Sequence, residues 1–307
     1  MKRAALLGLL AGILIMGQAG AKNWSSLWKF GAVLEPELRF KDGAEPRMLW
    51  KRVRGIARGP LSSRVNAFIQ FDDARNRVRL MDGLIDYRAI TGGPVDLTFR
   101  VGQGYPAFAE DGWAAPVGID YTFMAEQLKL PYRMTGVQAT ITANRRYQFN
   151  AGVFNGSHSL LQGPNDRPMF LLGSSLLGRL GTAHVWGMTG FDRAAGVENK
   201  SWMYGLEVYN LHHGRLFGEG AWMSADRFGK KMNGVYGDVG YKFNRDALAF
   251  MRLEWCDTDV KTAGAIRQRW SLCAQQRLNR WIVLKCDVRY EQGTGHFESN
   301  NQLDIQF

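Results

Sequence analysis

The chain has 307 residues, of which 46% are hydrophobic, 12% aromatic and 22% charged, and 39 Lys and Arg against 28 Asp and Glu give a formal charge of +11. That much aromatic content with charge of both signs excludes a chain that never buries a core, and three Cys are too few for a disulfide framework. The length suits one large domain or two small ones.

At the start, Lys2 and Arg3 precede an apolar run from Ala4 to Met16, followed by Ala19-Gly20-Ala21 and the polar Lys22-Asn23. A charged start, a short apolar segment and a small-x-small site predict a secretory signal peptide over 1–21, with a single barrel domain over 22–307. The run falls short of the roughly 20 residues that span a bilayer, which argues against a membrane anchor. Losing Lys2 and Arg3 lowers the charge by two. An exported chain does not meet cytoplasmic nucleic acid, so its remaining positive charge needs another use. Beyond residue 21 no stretch approaches about 18 consecutive apolar residues, which excludes a helical membrane protein. A secreted soluble protein and a closed transmembrane β-barrel remain.

A transmembrane barrel strand takes about 9–11 residues with apolar side chains at every second position. In chain order, Val65, Ala67, Ile69 and Phe71 oppose Asn66 and Gln70, and Leu97, Phe99 and Val101 oppose Asp96, Thr98 and Arg100. Val137, Ala139 and Ile141 then oppose Gln138 and Thr140, and Tyr147, Phe149, Ala151 and Val153 oppose Gln148 and Asn150. Trp202, Tyr204, Leu206 and Val208 oppose Glu207, while Val235, Val239, Tyr241 and Phe243 oppose Asp238 and Lys242. Ala247, Ala249, Met251, Leu253 and Trp255 oppose Arg252 and Glu254, and Ile282, Leu284, Cys286, Val288 and Tyr290 oppose Lys285, Asp287 and Arg289. The chain closes with Leu303, Ile305 and Phe307 alternating with Gln302, Asp304 and Gln306. That ending resembles the C-terminal strand by which the barrel-assembly machinery recognises bacterial outer-membrane proteins.

A soluble sandwich also alternates, but two features favour the barrel. The outward faces hold aromatics near strand ends (Phe71, Tyr147, Trp202, Phe243, Trp255, Tyr290), as expected of girdles at two lipid interfaces. Tight links near 59–60, 91–94, 143–146, 180–181, 211–214, 244–246 and 278–280 alternate with longer ones near 41–48, 72–80, 105–132, 155–168, 192–201, 225–232, 258–265 and 292–298. The segments between them predict an all-β transmembrane antiparallel barrel of about sixteen strands, with fourteen as the alternative. Both termini then lie on the periplasmic side of an outer membrane. A barrel of that size leaves an aqueous channel.

With the outward faces fixed, Arg39, Arg52, Arg54, Arg58, Arg64, Arg88 and Arg100 fall on the lumen side, against Glu35, Glu37, Asp86 and Asp96. Rings of basic side chains favour anions in pores. Such arginines also face acids across barrel walls and neutralise the field. The longest link, 105–132, is too apolar to stay in solvent and long enough to be functional. Gln103, Tyr105, Phe108, Glu110, Asp111, Trp113 and Asp120 become candidates for a constriction, with the link folded into the lumen or capping its mouth.

Arg100-Val101-Gly102-Gln103, the Pro/Phe-containing link, Thr122-Phe123-Met124 with Glu126, and Phe154-Asn155-Gly156 together resemble the phosphate-selective porins O and P. The resemblance implies a sixteen-stranded porin, commonly trimeric, in which basic residues guide anions to a constriction near Arg100, Gln103 and the 105–132 link. Where that family often places cations, this chain has Gly104-Tyr105 and Ala125-Glu126-Gln127.

Rival chemistry is thin. Ser157, His158 and Ser159 lie close together but in the wrong order for the Ser/His site of an outer-membrane phospholipase. His184, His212, His213 and His296 lack metal-ligand spacing. Cys273 and Cys286 fall on opposite faces of neighbouring strands, which predicts free thiols. The expectation is a non-enzymatic outer-membrane porin without cofactor or metal, passing small hydrophilic solutes and preferring anions such as phosphate. The alternatives are a barrel-type hydrolase and a non-conducting envelope barrel.

Overall fold

The computed structural model describes residues 27–74, 77–106, 133–155, 167–194, 197–227, 229–262 and 264–306. The export segment 1–21 lies outside them, as do Phe108, Glu110, Asp111, Trp113, Asp120, Ser157, His158, Ser159 and Phe307.

Alternation forms strands because it offers one face to a dry environment and the other to a wet one, and each backbone polar group pairs with a neighbouring strand. Sixteen strands result: β1 Lys29–Lys41, β2 Arg47–Pro60, β3 Val65–Ala74, β4 Arg77–Ile90, β5 Val95–Gly104, β6 Met134–Ala143, β7 Tyr147–Phe154 and β8 Met169–Leu177, then β9 Thr182–Ala194, β10 Val197–His213, β11 Leu216–Arg227, β12 Lys230–Lys242, β13 Ala247–Asp257, β14 Ile266–Arg277, β15 Ile282–Gln292 and β16 His296–Gln306. Each pairs antiparallel with its sequence neighbours, and β1 with β16 closes the barrel. The closing register sets Leu34 opposite Ile305 outside and Glu37 opposite Gln302 inside. Leu303 and Ile305, two of the three residues of the expected assembly signal, therefore sit on the outward face of the closing strand. The fourteen-strand alternative is excluded.

The outer wall is apolar and uncovered: Leu172, Val239 and Leu272 expose 68%, 66% and 62% of their surface. A soluble protein does not leave so continuous a belt in water, so the wall is built to meet hydrocarbon. Aromatics edge it on both sides. Trp202 stacks on Tyr204 with centroids 5.1 Å apart, and Tyr204 meets Trp222 at 5.4 Å. Toward the other rim Tyr241 and Phe243 pack edge to face.

The connections correct the sequence reading in one respect. The tight ones lie where expected except the first, since β2 runs through 59–60 and turns at 61–64, but only three of the eight opposite ones are long, between β5 and β6, β7 and β8, and β13 and β14. Around 72–80, 192–201, 225–232 and 292–298 the strands continue almost to the hairpin tips. Charged residues such as Asp72, Arg79 and Lys200 read as loop because they break the apolar pattern. A strand leaving the membrane needs no apolar face, and its ladder hydrogen bonds persist in water.

Candidate functional site

The candidate site is the lumen, and its wall has three zones. Toward the rim of the longer connections, β6 to β13 turn apolar side chains inward. Register aligns Leu171, Met188, Met203, Ala225 and Met232 across five consecutive strands. They belong to a buried cluster with Met134, Phe154, Met169, Trp186, Met223, Tyr236 and Cys256, against which Tyr105 packs. Methionine suits such a surface, because an unbranched, polarizable side chain fills irregular gaps.

Below this arc runs a belt of ion pairs. On β12–β13, Arg252 Nε donates to Asp238 Oδ1 at 2.7 Å, and its Nη2 stands 3.5 Å from Glu219. Arg269 meets Glu254 at 3.1 Å, and Lys285 meets Asp304 at 2.8 Å. Arg289 pairs with Asp287, whose other oxygen accepts from Asn300 at 2.9 Å. Trp186 Nε1 donates to Glu207 at 2.8 Å. Across β1–β5 the arginines expected to guide anions are themselves held: Arg39 by Glu37 at 2.7 Å, Arg52 by Glu35 at 3.5 Å, Arg54 by Asp72 at 3.4 Å and Arg100 by Asp86 at 2.9 Å. Each of these cations meets at least one carboxylate, so none of them offers an uncompensated positive charge to the lumen.

The third zone lies toward the rim of the tight turns. Arg58 and Arg88 are exposed and make no ion pair within the described residues, and Lys29 is paired in register with Arg58. Lys29, Arg58, Asp86, Arg100, Gln70 and Tyr105 contribute to the lining of a cavity of about 560 Å³.

Two expected lumen residues move. Arg64 belongs to the exposed connection between β2 and β3 and lines no wall. Gln103 is a pin rather than a constriction residue: its amide nitrogen donates to the carbonyls of Leu80 and Met81 at 3.0 and 2.7 Å. Gly102 makes this possible. At φ +125° it lies so close to β4 that a Cβ would meet the Gly83 oxygen at 2.0 Å, so only glycine fits. The Val-Gly-Gln run thus has a local backbone reason.

Sequence reasoning missed Arg133. It donates to both oxygens of Asp82 at 2.8 and 3.1 Å and lies over the Tyr105 ring, 4.2 Å from its centroid. This clamp fixes both ends of the longest connection to β4. No local pattern marks a pair 51 residues apart; the only available signal was a basic residue directly before a strand.

Cys256, Cys273 and Cys286 are free thiols, as expected. In the 258–265 connection Asp259 is held below the usual carboxylate range by the Thr262 hydroxyl and the Lys261 N–H, a turn device with no further chemistry. Among the described residues no cluster of His, Cys, Asp and Glu has metal-binding geometry.

No protein-family model matches the chain, and no curated protein does. Solved structures match over nearly the whole barrel. A loop L8 deletion mutant of OmpT, an outer membrane protein of Vibrio cholerae, is 10% identical with a TM-score of 0.67, covering 91% of this chain and 99% of that one. OprB of Pseudomonas putida is 10% identical with a TM-score of 0.69, covering 92% and 94%. A mutant of Rh. blastica porin is 12% identical with a TM-score of 0.58, covering 92% and 100%. At such identities the likeness shows the fold: this chain has the barrel architecture of outer-membrane proteins and porins.

Proposed function

We propose that the chain is an outer-membrane porin through which small hydrophilic solutes diffuse passively, with a preference for anions and no enzymatic step. The observation that carries this reading is the closed sixteen-strand barrel with an apolar exterior and a charged interior. Anion preference rests on Arg58 and Arg88 at the tight-turn mouth, which make no ion pair among the described residues, rather than on the mid-wall arginines, each of which already faces a carboxylate. Phosphate selectivity, implied by the resemblance to the porins O and P, would draw on the same two guanidinium groups, whose planar fork suits phosphate. The apolar arc supports a narrowing role for the 105–132 connection, because Tyr105 and Met134 at its ends both belong to the arc's packing.

In planar bilayers under a KCl gradient, the wild type should show an anion-favouring reversal potential. The Arg58→Gln/Arg88→Gln variant should move that potential toward zero, and deletion of 108–130 should enlarge the unit conductance several-fold. A cation-favouring wild type, or a double variant with unchanged selectivity, contradicts the anion reading. An unchanged unit conductance after the deletion contradicts the narrowing role.

A further inference from the structure

The positive charge of the chain is not spread evenly over its two rims. Of the seven connections on the tight-turn side, six carry arginine: Arg64, Arg145, Arg146, Arg179, Arg215, Arg245 and Arg280. Asp246 is the sole acid among those connections, and lysine is absent from them. The described connections on the opposite rim carry both signs equally, with Asp42, Glu45 and Asp259 against Arg133, Arg167 and Lys261. The arginines of the tight turns are exposed and form no ion pair within the described residues.

Their neighbours fix the height at which they stand. Tyr147 follows Arg146 and is 47% exposed; Leu180 follows Arg179 and is 66% exposed. Arg215 Nη1 donates to the Tyr241 hydroxyl at 3.5 Å, and Arg280 lies 4.5 Å over the ring of Trp281. Outward aromatics and leucines mark the edge of the hydrocarbon, so the guanidinium groups beside them stand at headgroup level. Arginine there presents the fork geometry that takes phosphate oxygens in pairs. A partner docking end-on from the aqueous side would not explain why the cations alternate with laterally exposed apolar groups.

We propose that the tight-turn rim is a clasp for the phosphate groups of anionic phospholipids in the leaflet it stands in. The inference rests on the barrel spanning a membrane, and not on its conducting. It would orient the barrel by charge as well as by aromatic girdles.

The purified full chain is reconstituted in vesicles of phosphatidylcholine with or without phosphatidylglycerol. Lipid retained after detergent exchange is then quantified, alongside the heat needed to unfold the barrel on a gel. The wild type should retain phosphatidylglycerol several-fold above its share of the vesicle and resist unfolding to a higher temperature when it is present. Arg145→Gln, Arg146→Gln, Arg179→Gln, Arg215→Gln, Arg245→Gln and Arg280→Gln together should abolish both effects, while unit conductance in neutral bilayers stays as in the wild type. The set of six Arg→Lys changes should keep charge attraction but lose part of the retention. A wild type with no preference for phosphatidylglycerol overturns the proposal whether or not the glutamine variant folds, and so does a folded glutamine variant that keeps the preference. Capture of poly-glutamate by the wild type without lipid preference would assign the rim to an acidic partner and also overturn it. Lipid preference in a barrel that never conducts would uphold this inference and sink the porin reading alone.

Discussion

Arg252→Met should lower the unfolding free energy of the detergent-folded barrel by about 3–5 kcal/mol, the usual cost of leaving a buried charge without its partner. Arg252 and Asp238 are each 4% exposed, and Glu219 lies within 3.5 Å of the same guanidinium. Methionine fills a comparable volume, so the loss isolates charge from packing. The coupling should show in a cycle: Asp238→Leu added to Arg252→Met should recover part of the deficit, because the pair's desolvation cost disappears with it. A single variant as stable as the wild type in urea titration would mean that water reaches the belt freely and that the pairing is incidental.

Leu272→Arg tests the other face. Leu272 lies midway along β14 and points outward, 62% exposed. A cation near the bilayer midplane on the lipid face of a barrel costs about 2–4 kcal/mol. Gln148→Arg, on the lumen face of β7, should change stability by no more than about 0.5 kcal/mol, as a solvated substitution does. Folding titrations into short-chain lipid vesicles compare the two directly. Equal costs would show that the faces have been assigned the wrong way round.

Much of the barrel was legible because a period of two is a strong local signal wherever one face is apolar and the other polar. Residues 97–101, 137–141 and 247–255 show it, and each became a strand with the expected face outward. The link at 91–94 was legible for a different reason: Gly92, Gly93 and Pro94 punctuate the chain regardless of what it packs on. Legibility fails on β8, where Met169, Phe170, Leu171 and Leu172 are all apolar. There the inner face is as apolar as the outer one, and alternation has nothing to report. It fails again for the lumen charges. Sequence places Arg54 and Arg100 inward, but whether they meet an anion or a neighbour's carboxylate depends on register. Arg54 faces Asp72 and Arg100 faces Asp86 across ladders that only the fold specifies. Gln103 shows a third kind of failure, since a motif position expected near the constriction ties its side chain to the β4 backbone.

The proposed function requires a lumen that water and ions can cross. Purified full-length chain, shown folded by its heat-modifiable migration on gels, should produce discrete, uniform current steps when added to a planar lipid bilayer in potassium chloride. A folded, membrane-inserted barrel that leaves the bilayer electrically silent would contradict it.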